Sequence, residues 1–296
     1  MNYSVIKETI KPKIKEFRES IYLLRKNVLT TIAIYVILAV VLIAIFAPYI
    51  VPYPEDISNN ADIINKFMPP SGKHFFGTDE LGRDIFSRVL YGTRISFFSA
   101  IITVGFALLV GIPLGAIAGL MGGPIDELIM RITDMFLSFP PVLLAIVLVS
   151  LLGASLNSAI LSMVVAWWPW YTRLVRGQTI SLKEKMFMQA AKAIGTPSYR
   201  VILKHVIPNT ISPVIVQASI DMGSVIITLA SLSFLGLGAQ APMPEWGLMI
   251  SSSRKYFPDI WWYSIFPGLA VFITVLIFNM VGDGLREILD PKTRKQ

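Results

Sequence analysis

The chain has 296 residues, 54% of them hydrophobic and 15% charged, against roughly 25% charged in soluble proteins. A mean hydropathy of +0.64, with several apolar runs of membrane-crossing length, excludes an ordinary soluble domain. The lack of Cys removes disulfides and thiolate metal sites, and the net charge of +7 is accompanied by no nucleic-acid-binding motif.

In chain order, residues 1–27 are a basic segment, too long and too charged for a cleavable signal. Apolar runs then predict six transmembrane helices, at about 28–50, 95–120, 135–153, 155–172, 210–235 and 260–281. Each is judged against the ~20 residues that cross a hydrocarbon core. Pro140-Pro141 and Pro169 blur the third and fourth. The expected fold is all-α and polytopic, with residues 51–94 as an extracytoplasmic loop, 95–284 as the core of five further helices, and 285–296 as a tail. Lys and Arg gather in 1–27, at Arg131, in 173–209 and in the tail, and thin out in 51–94 and 236–259. The positive-inside rule therefore places both termini and 173–209 in the cytoplasm.

Within 51–94 the run "HFFGTDELGRDIFSRVLYGTRIS" sets the turn glycines Gly77 and Gly82 among Thr78, Asp79, Glu80, Arg83 and Asp84. Two readings stand side by side: an outer edge that meets a binding protein or shapes a pathway entrance, and an ion-paired turn that orients the next helix. Further on, Gly111, Gly115 and Gly119 repeat at four-residue spacing, the pattern of a close helix-packing face in lipid. Pro113 among them predicts a kink. "GGPIDELIMRITDMF" reads as an amphipathic interfacial helix with an i,i+4 pair, Glu127 and Arg131; a second docking element is the lesser reading.

Between two spans lies "SLKEKMFMQAAKAIGTPSYRVILKHVIPN". Ser181 and Glu184 have capping-box spacing. Phe187, Ala190, Ala191 and Ile194 form one apolar stripe at i, i+3, i+4, i+7. Gly195 falls where a left-handed residue ends a helix. Thr196 and Pro197 predict the cap and first position of a second helix, which Pro208 should stop. A lipid-surface connector is the bland alternative. The small, alanine-rich face instead suits the close approach of a cytoplasmic protein.

Asp221 is the one carboxylate well inside a span, expected near the start of the fifth. It is a candidate pathway residue, with a hydrogen-bonded place inside the bundle as the favoured alternative. No G-x-x-x-x-G-K-[ST] loop is present, so ATP hydrolysis is not expected of this chain. The histidines, His74 and His205, fall on opposite membrane sides and cannot share a metal. There is no clear internal repeat, which weakens an ion-driven secondary transporter; a structural scaffold would need no glycine-hinged hairpin.

"QAAKAIG" followed by "VILKHVIPN" resembles the EAA loop of ABC-importer permeases, whose coupling helix sits in a groove of an ATPase subunit. Ala190, Ala191, Gly195 and Pro208 match, and Gln189 stands where the family usually has Glu. "GTDELGRD", "SLSFLGLGAQAPMPEWGLMI" and "FPGLAVFITVLIFNMVGDGLREILDP" are similar to segments of the dipeptide, oligopeptide and nickel permeases, the C-type subunit in particular. Leu229 departs from the Glu that many relatives carry before L-S-F-L-G-L-G. The resemblance implies a type I importer permease of a prokaryotic cell membrane that couples ATP hydrolysis by partners to alternating access. It carries no catalytic residue and binds no cofactor, ATP and Mg belonging to two partner ATPase subunits. A second, homologous permease and an extracytoplasmic substrate-binding protein complete the set. Di- or oligopeptides are the expected cargo, with nickel chelates, glutathione or oligosaccharides as alternatives. By the same resemblance Phe187, Gln189, Ala190, Ala191, Ile194 and Gly195 contact the ATPase, and Gly77, Thr78, Asp79, Gly82, Arg83 and Asp84 form an outer signature.

Overall fold

A computed structural model describes residues 28–58 and 61–289, so the segments before 28 and after 289 lie outside it. Among the described residues the secondary structure is helical, apart from an isolated bridge between Thr78 and Asp84. The first helix, α1 (Val28–Ile50), carries no charged residue and is dominated by Leu, Ile, Val and Ala. It buries its small residues Ala33, Ala44 and Ala47, while Ile32, Leu38, Leu42 and Phe46 are exposed. A helix facing lipid inverts the soluble pattern in this way, because close helix contacts favour small residues and lipid accepts large apolar ones.

The next helix, α2 (Ile85–Met121), has 37 residues and starts well before the expected residue 95. Asp84 is its cap, its carboxylate accepting the Ser87 N–H at 2.7 Å. Residues 85–94, expected in a loop, are therefore helical. In its C-terminal half α2 meets α5 (Leu156–Lys183) almost backbone to backbone. A Cβ added at Gly111 would lie 2.5 Å from the Tyr171 Cβ, and one at Gly119 would lie 2.6 Å from the Thr179 Cβ. The glycine spacing works as the sequence implied, and Pro113 is carried inside one continuous helix.

The third expected span is corrected. Residues 123–152 form α3 (Gly123–Leu137) and α4 (Pro141–Leu152), bent 86° at the break around Pro140. Pro140 and Pro141 cannot donate to a helical ladder there. The 12 residues of α4 rise only ~18 Å, short of a ~30 Å hydrocarbon core. The fourth is corrected too: α5 continues to Lys183 rather than ending near 172.

After α5 come α6 (Met186–Ala193) and α7 (Ser198–Val201). A π-turn (Ile202–Val206) joins α7 without a gap to α8 (Ile207–Phe234). Then α9 (Trp246–Ser253) packs against α8 and α10 (Trp261–Leu289), and α10 closes the bundle. Among the described residues four helices are long and apolar enough to cross a membrane: Val28–Ile50, Ile85–Met121, Ser198–Phe234 and Trp261–Ile288; the bent α3–α4 pair makes a fifth if counted as one span. Helix α5 is long enough at 28 residues but too polar to join them by the same measure. It lies in the middle of the bundle, burying Ser162, Trp167, Tyr171 and Thr172, so neighbours rather than lipid cover it. Its Trp and Tyr side chains join Val104 and Ala107 of α2 and Val225 and Leu229 of α8 in the largest core cluster.

Candidate functional site

The C-terminal end of α5 is the stem of the hairpin. The expected capping box does not form. Ser181 is still inside α5, its hydroxyl donating back to the Gly177 carbonyl at 3.3 Å, and Glu184 is the C-cap of α5. The next helix starts at Met186 with Lys185 at its cap and no side-chain cap bond. A ladder that was already running took up the serine.

The far end of α6 follows the sequence closely. Gly195 has φ +70°, its N–H bonds the Lys192 carbonyl at 3.0 Å, and the Thr196 N–H bonds the Ala191 carbonyl at 3.0 Å. This is the Schellman pattern, which satisfies the last carbonyls by a left-handed residue. Nothing lies within 4 Å of an added Cβ at Gly195, so the conformation alone requires glycine there. Thr196 is not the next cap. That position is Pro197, whose carbonyl accepts the Arg200 and Val201 N–H groups. Nor does Pro208 stop the helix. The π-turn spreads the ladder just ahead of it, with the Ile207 N–H reaching back to Ile202, so the missing N–H and the ring are accommodated.

The apolar stripe is divided. Met188 turns inward onto Ala116, Val175, Val206 and Val214, and Ala191 is buried as well. Ala191 is the edge of the expected stripe; Phe187, Ala190 and Ile194 face out with Gln189. Ile194 is 82% exposed and Met186 87%, with Tyr199 and Leu203 open as well. The Gln189 amide donates to the Glu184 carbonyl at 3.3 Å, a bond that a carboxylate at 189 could not make. His205 sits beside Phe187, with ring centroids 6.0 Å apart.

Beside this stem lie ion pairs that the sequence did not disclose. Arg176 grips the Asp126 carboxylate of α3 with Nε and Nη2 at 2.5 and 2.7 Å. Arg173 reaches Asp134, also on α3, at 2.5 Å. Their partners stand some forty to fifty positions apart in the chain, beyond any local pattern. The i,i+4 pair, Arg131 with Glu127, does form and is solvent-exposed.

The outer signature has the opposite character. Asp79, Arg83, Asp84 and Arg88 are all buried. One Asp79 oxygen accepts the Leu81 and Arg83 N–H groups at 2.9 and 3.0 Å, and the other accepts Arg83 Nε at 2.7 Å. Asp84 holds His74 Nδ1 at 2.9 Å, and Arg88 donates to the carbonyls of Asp56 and Pro242 at 2.8 and 3.1 Å. The Thr78 hydroxyl donates to the Asn65 carbonyl at 2.5 Å and accepts the Met68 N–H at 2.8 Å. Gly77 and Gly82 have φ +74° and +78° and are hemmed in by Met68, Trp262 and Asp62. Nearby, Glu245 caps α9 by accepting the Gly247 and Leu248 N–H groups, and burial holds its carboxyl above the usual range.

Asp221 lies near the middle of α8 (Ile207–Phe234) rather than near a span's start. It is buried, accepts the Gln217 amide at 3.0 Å and faces the Tyr171 hydroxyl. Leu229 belongs to the main apolar cluster.

Comparison with known proteins agrees with this geometry. Residues 111–295 match the family described as binding-protein-dependent transport system inner membrane component. Residues 16–70 match the N-terminal TM domain of oligopeptide transport permease C. The chain is 46% identical to the dipeptide transport system permease protein of Alkalihalophilus pseudofirmus, covering 95% of this chain and 91% of that one. It is 42% identical to the probable D,D-dipeptide transport system permease protein of Escherichia coli K12, covering 92% and 90%. It is 44% identical to the glutathione transport system permease protein of Escherichia coli O157:H7, covering 91% and 88%. An inward-facing structure of the MetNI methionine ABC transporter shares the fold, with TM-score 0.55 and 17% identity, covering 69% of this chain and 96% of that one.

Proposed function

The chain belongs to the binding-protein-dependent transport system inner membrane component family, and from that premise we propose that its cargo is di- or oligopeptides. It is a membrane permease subunit of an ABC importer and not an enzyme, since separate ATPase subunits hydrolyse the ATP in this family. The peptide assignment rests on the relatives with dipeptide names and on the match to the oligopeptide permease C segment. Glutathione is the second reading, supported by a relative at 44% identity.

The hairpin is the coupling element in this reading. The single observation that carries it is the split face of α6. Met188 fastens the helix to the bundle and Ala191 is buried beside it, while Ile194 and Met186 stay open. Exposed apolar side chains on a rigid, glycine-ended turn suit a groove on an ATPase subunit. Phe187, Gln189, Ala190, Ile194 and Gly195 would meet that groove, and closure of two ATP- and Mg-loaded subunits would then turn the bundle between inward and outward access. A second, homologous permease completes the pathway. Six crossings, with α5 as a central one, keep both termini cytoplasmic. Asp221, held by Gln217 within its own bundle, acts as a packing residue in this reading rather than as a pathway ligand.

The test is uptake into proteoliposomes of the purified complex with its binding protein. Labelled dipeptide, tripeptide and glutathione are offered separately, with and without ATP. ATP-dependent uptake of the peptides is the expected result. Uptake of glutathione alone would replace the cargo assignment, and uptake without ATP would remove the class.

A further inference from the structure

The reading above leaves α3 without a role. Its two ends are both sharp changes of direction. Gly122 and Gly123 lead into it with φ +67° and +57°, and nothing lies within 4 Å of an added Cβ at Gly123. The other end is the 86° bend into α4. Where α3 sits therefore depends on what holds its side. One flank, Ile125, Leu128, Ile132 and Met135, is open. The opposite flank meets α5 through the buried Thr133 and the two ion pairs, Arg176–Asp126 and Arg173–Asp134. The first pair is two-pronged and mostly shielded, its side chains 31% and 18% exposed. Such charge-assisted forks fix geometry as well as add energy. The helix they grip, α5, runs without a break to Lys183, and α6 starts at Met186.

We propose that Arg176 and Arg173 are positioning residues for coupling, which tie α3 to the hairpin stem so that the two move as one body. Displacement of α6 by the ATPase then reaches α4 through α3, as well as reaching α8 through the π-turn. The glycine contacts between α2 and α5 extend the same body on its other side. The proposal rests on the hairpin reading of the preceding subsection.

Two measurements on the full importer in proteoliposomes test it, with copurification of the ATPase subunits checked first. Asp126→Asn should lower substrate moved per ATP hydrolysed by about tenfold, the scale on which such networks alter coupling. The exchange Asp126→Arg with Arg176→Asp should restore most of it. Should Asp126→Asn fail to assemble, the second measurement still decides. The chain has no Cys, so Asp134→Cys with Arg173→Cys can be joined by a cleavable bis-maleimide. Transport that survives joining is the expected result, because the two helices never need to part. An unchanged ratio in Asp126→Asn, an exchange that restores nothing, or transport that stops on joining and returns on cleavage overturns the proposal. Absence of the ATPase from the preparation would instead sink the hairpin reading itself.

Discussion

The outer signature and the cytoplasmic hairpin are equally conspicuous as sequence motifs, yet they are built in opposite ways. In the signature, charged residues are buried: Asp79, Arg83, Asp84 and Arg88 bond to one another and to the backbone. In the hairpin, apolar residues are exposed: Met186, Ile194 and Leu203. The first arrangement folds a loop into a plug that starts α2; the second leaves surface for another protein. Two glycines show the same contrast. Gly82 and Gly195 share positive φ, but Gly82 is pressed against Asp62 and Gly195 has open space around it.

The largest expected effect uses those two glycines. Gly82→Ala drives a Cβ into the Asp62 backbone and should cost more than about 3 kcal/mol, through overpacking as well as strain. The protein should be depleted from the membrane, measured by immunoblot and by thermal midpoint in detergent. Gly195→Val meets no neighbour, so only the backbone cost of roughly 1–2 kcal/mol applies. That variant should reach the membrane at near-normal level yet lose ATP-driven uptake. Equal depletion of both would erase the contrast.

Next in size is Asp79→Asn. It takes from Arg83 its nearer ionic partner in a buried site, leaving only Glu80 at 4.0 Å, where breaking a pair costs about 3–5 kcal/mol. Uptake should fall in step with the amount of folded protein, with no change in substrate moved per ATP. A fall in that ratio would give the outer plug a transport role.

A smaller change comes from Ile194→Ser. The side chain is 82% exposed, so the thermal midpoint of the isolated chain should move by less than that of Asp79→Asn. ATPase recovered in a pull-down should drop, since an interface anchor typically contributes about 1–2 kcal/mol. The smallest is Gln189→Glu, which removes an exposed hydrogen bond to Glu184 of about 0.5–1.5 kcal/mol. Uptake should change by no more than about threefold, and stability hardly at all.

Much of this was legible in residue order. Apolar runs located α1, α8 and α10 because lipid-facing helices must be apolar along their length. The end of α5 was not legible in the same way, because residues 173–183 carry Arg173, Arg176 and Lys183 and so fall outside any apolar run, although the helix continues through them. Gly195 was legible because a single backbone conformation demands glycine. The direction of the Phe187–Ile194 stripe was not, since periodicity shows that a face exists and not which body it meets. The failed cap at Ser181 has a related cause: a cap motif competes with the helix already running through it, and here the helix α5 prevailed. Pairing of Arg176 with Asp126 depends on how α3 folds back, which no local spacing encodes.

The most direct measurement places a single cysteine at Ile194, in a chain that has none of its own. The importer is then treated in native membranes with a photoactivatable thiol cross-linker. A product joining this chain to an ATPase subunit, with a yield that changes when ATP is added, is the predicted result. Attachment only to lipid or to this chain itself, in membranes where the ATPase copurifies through another site, would contradict the account.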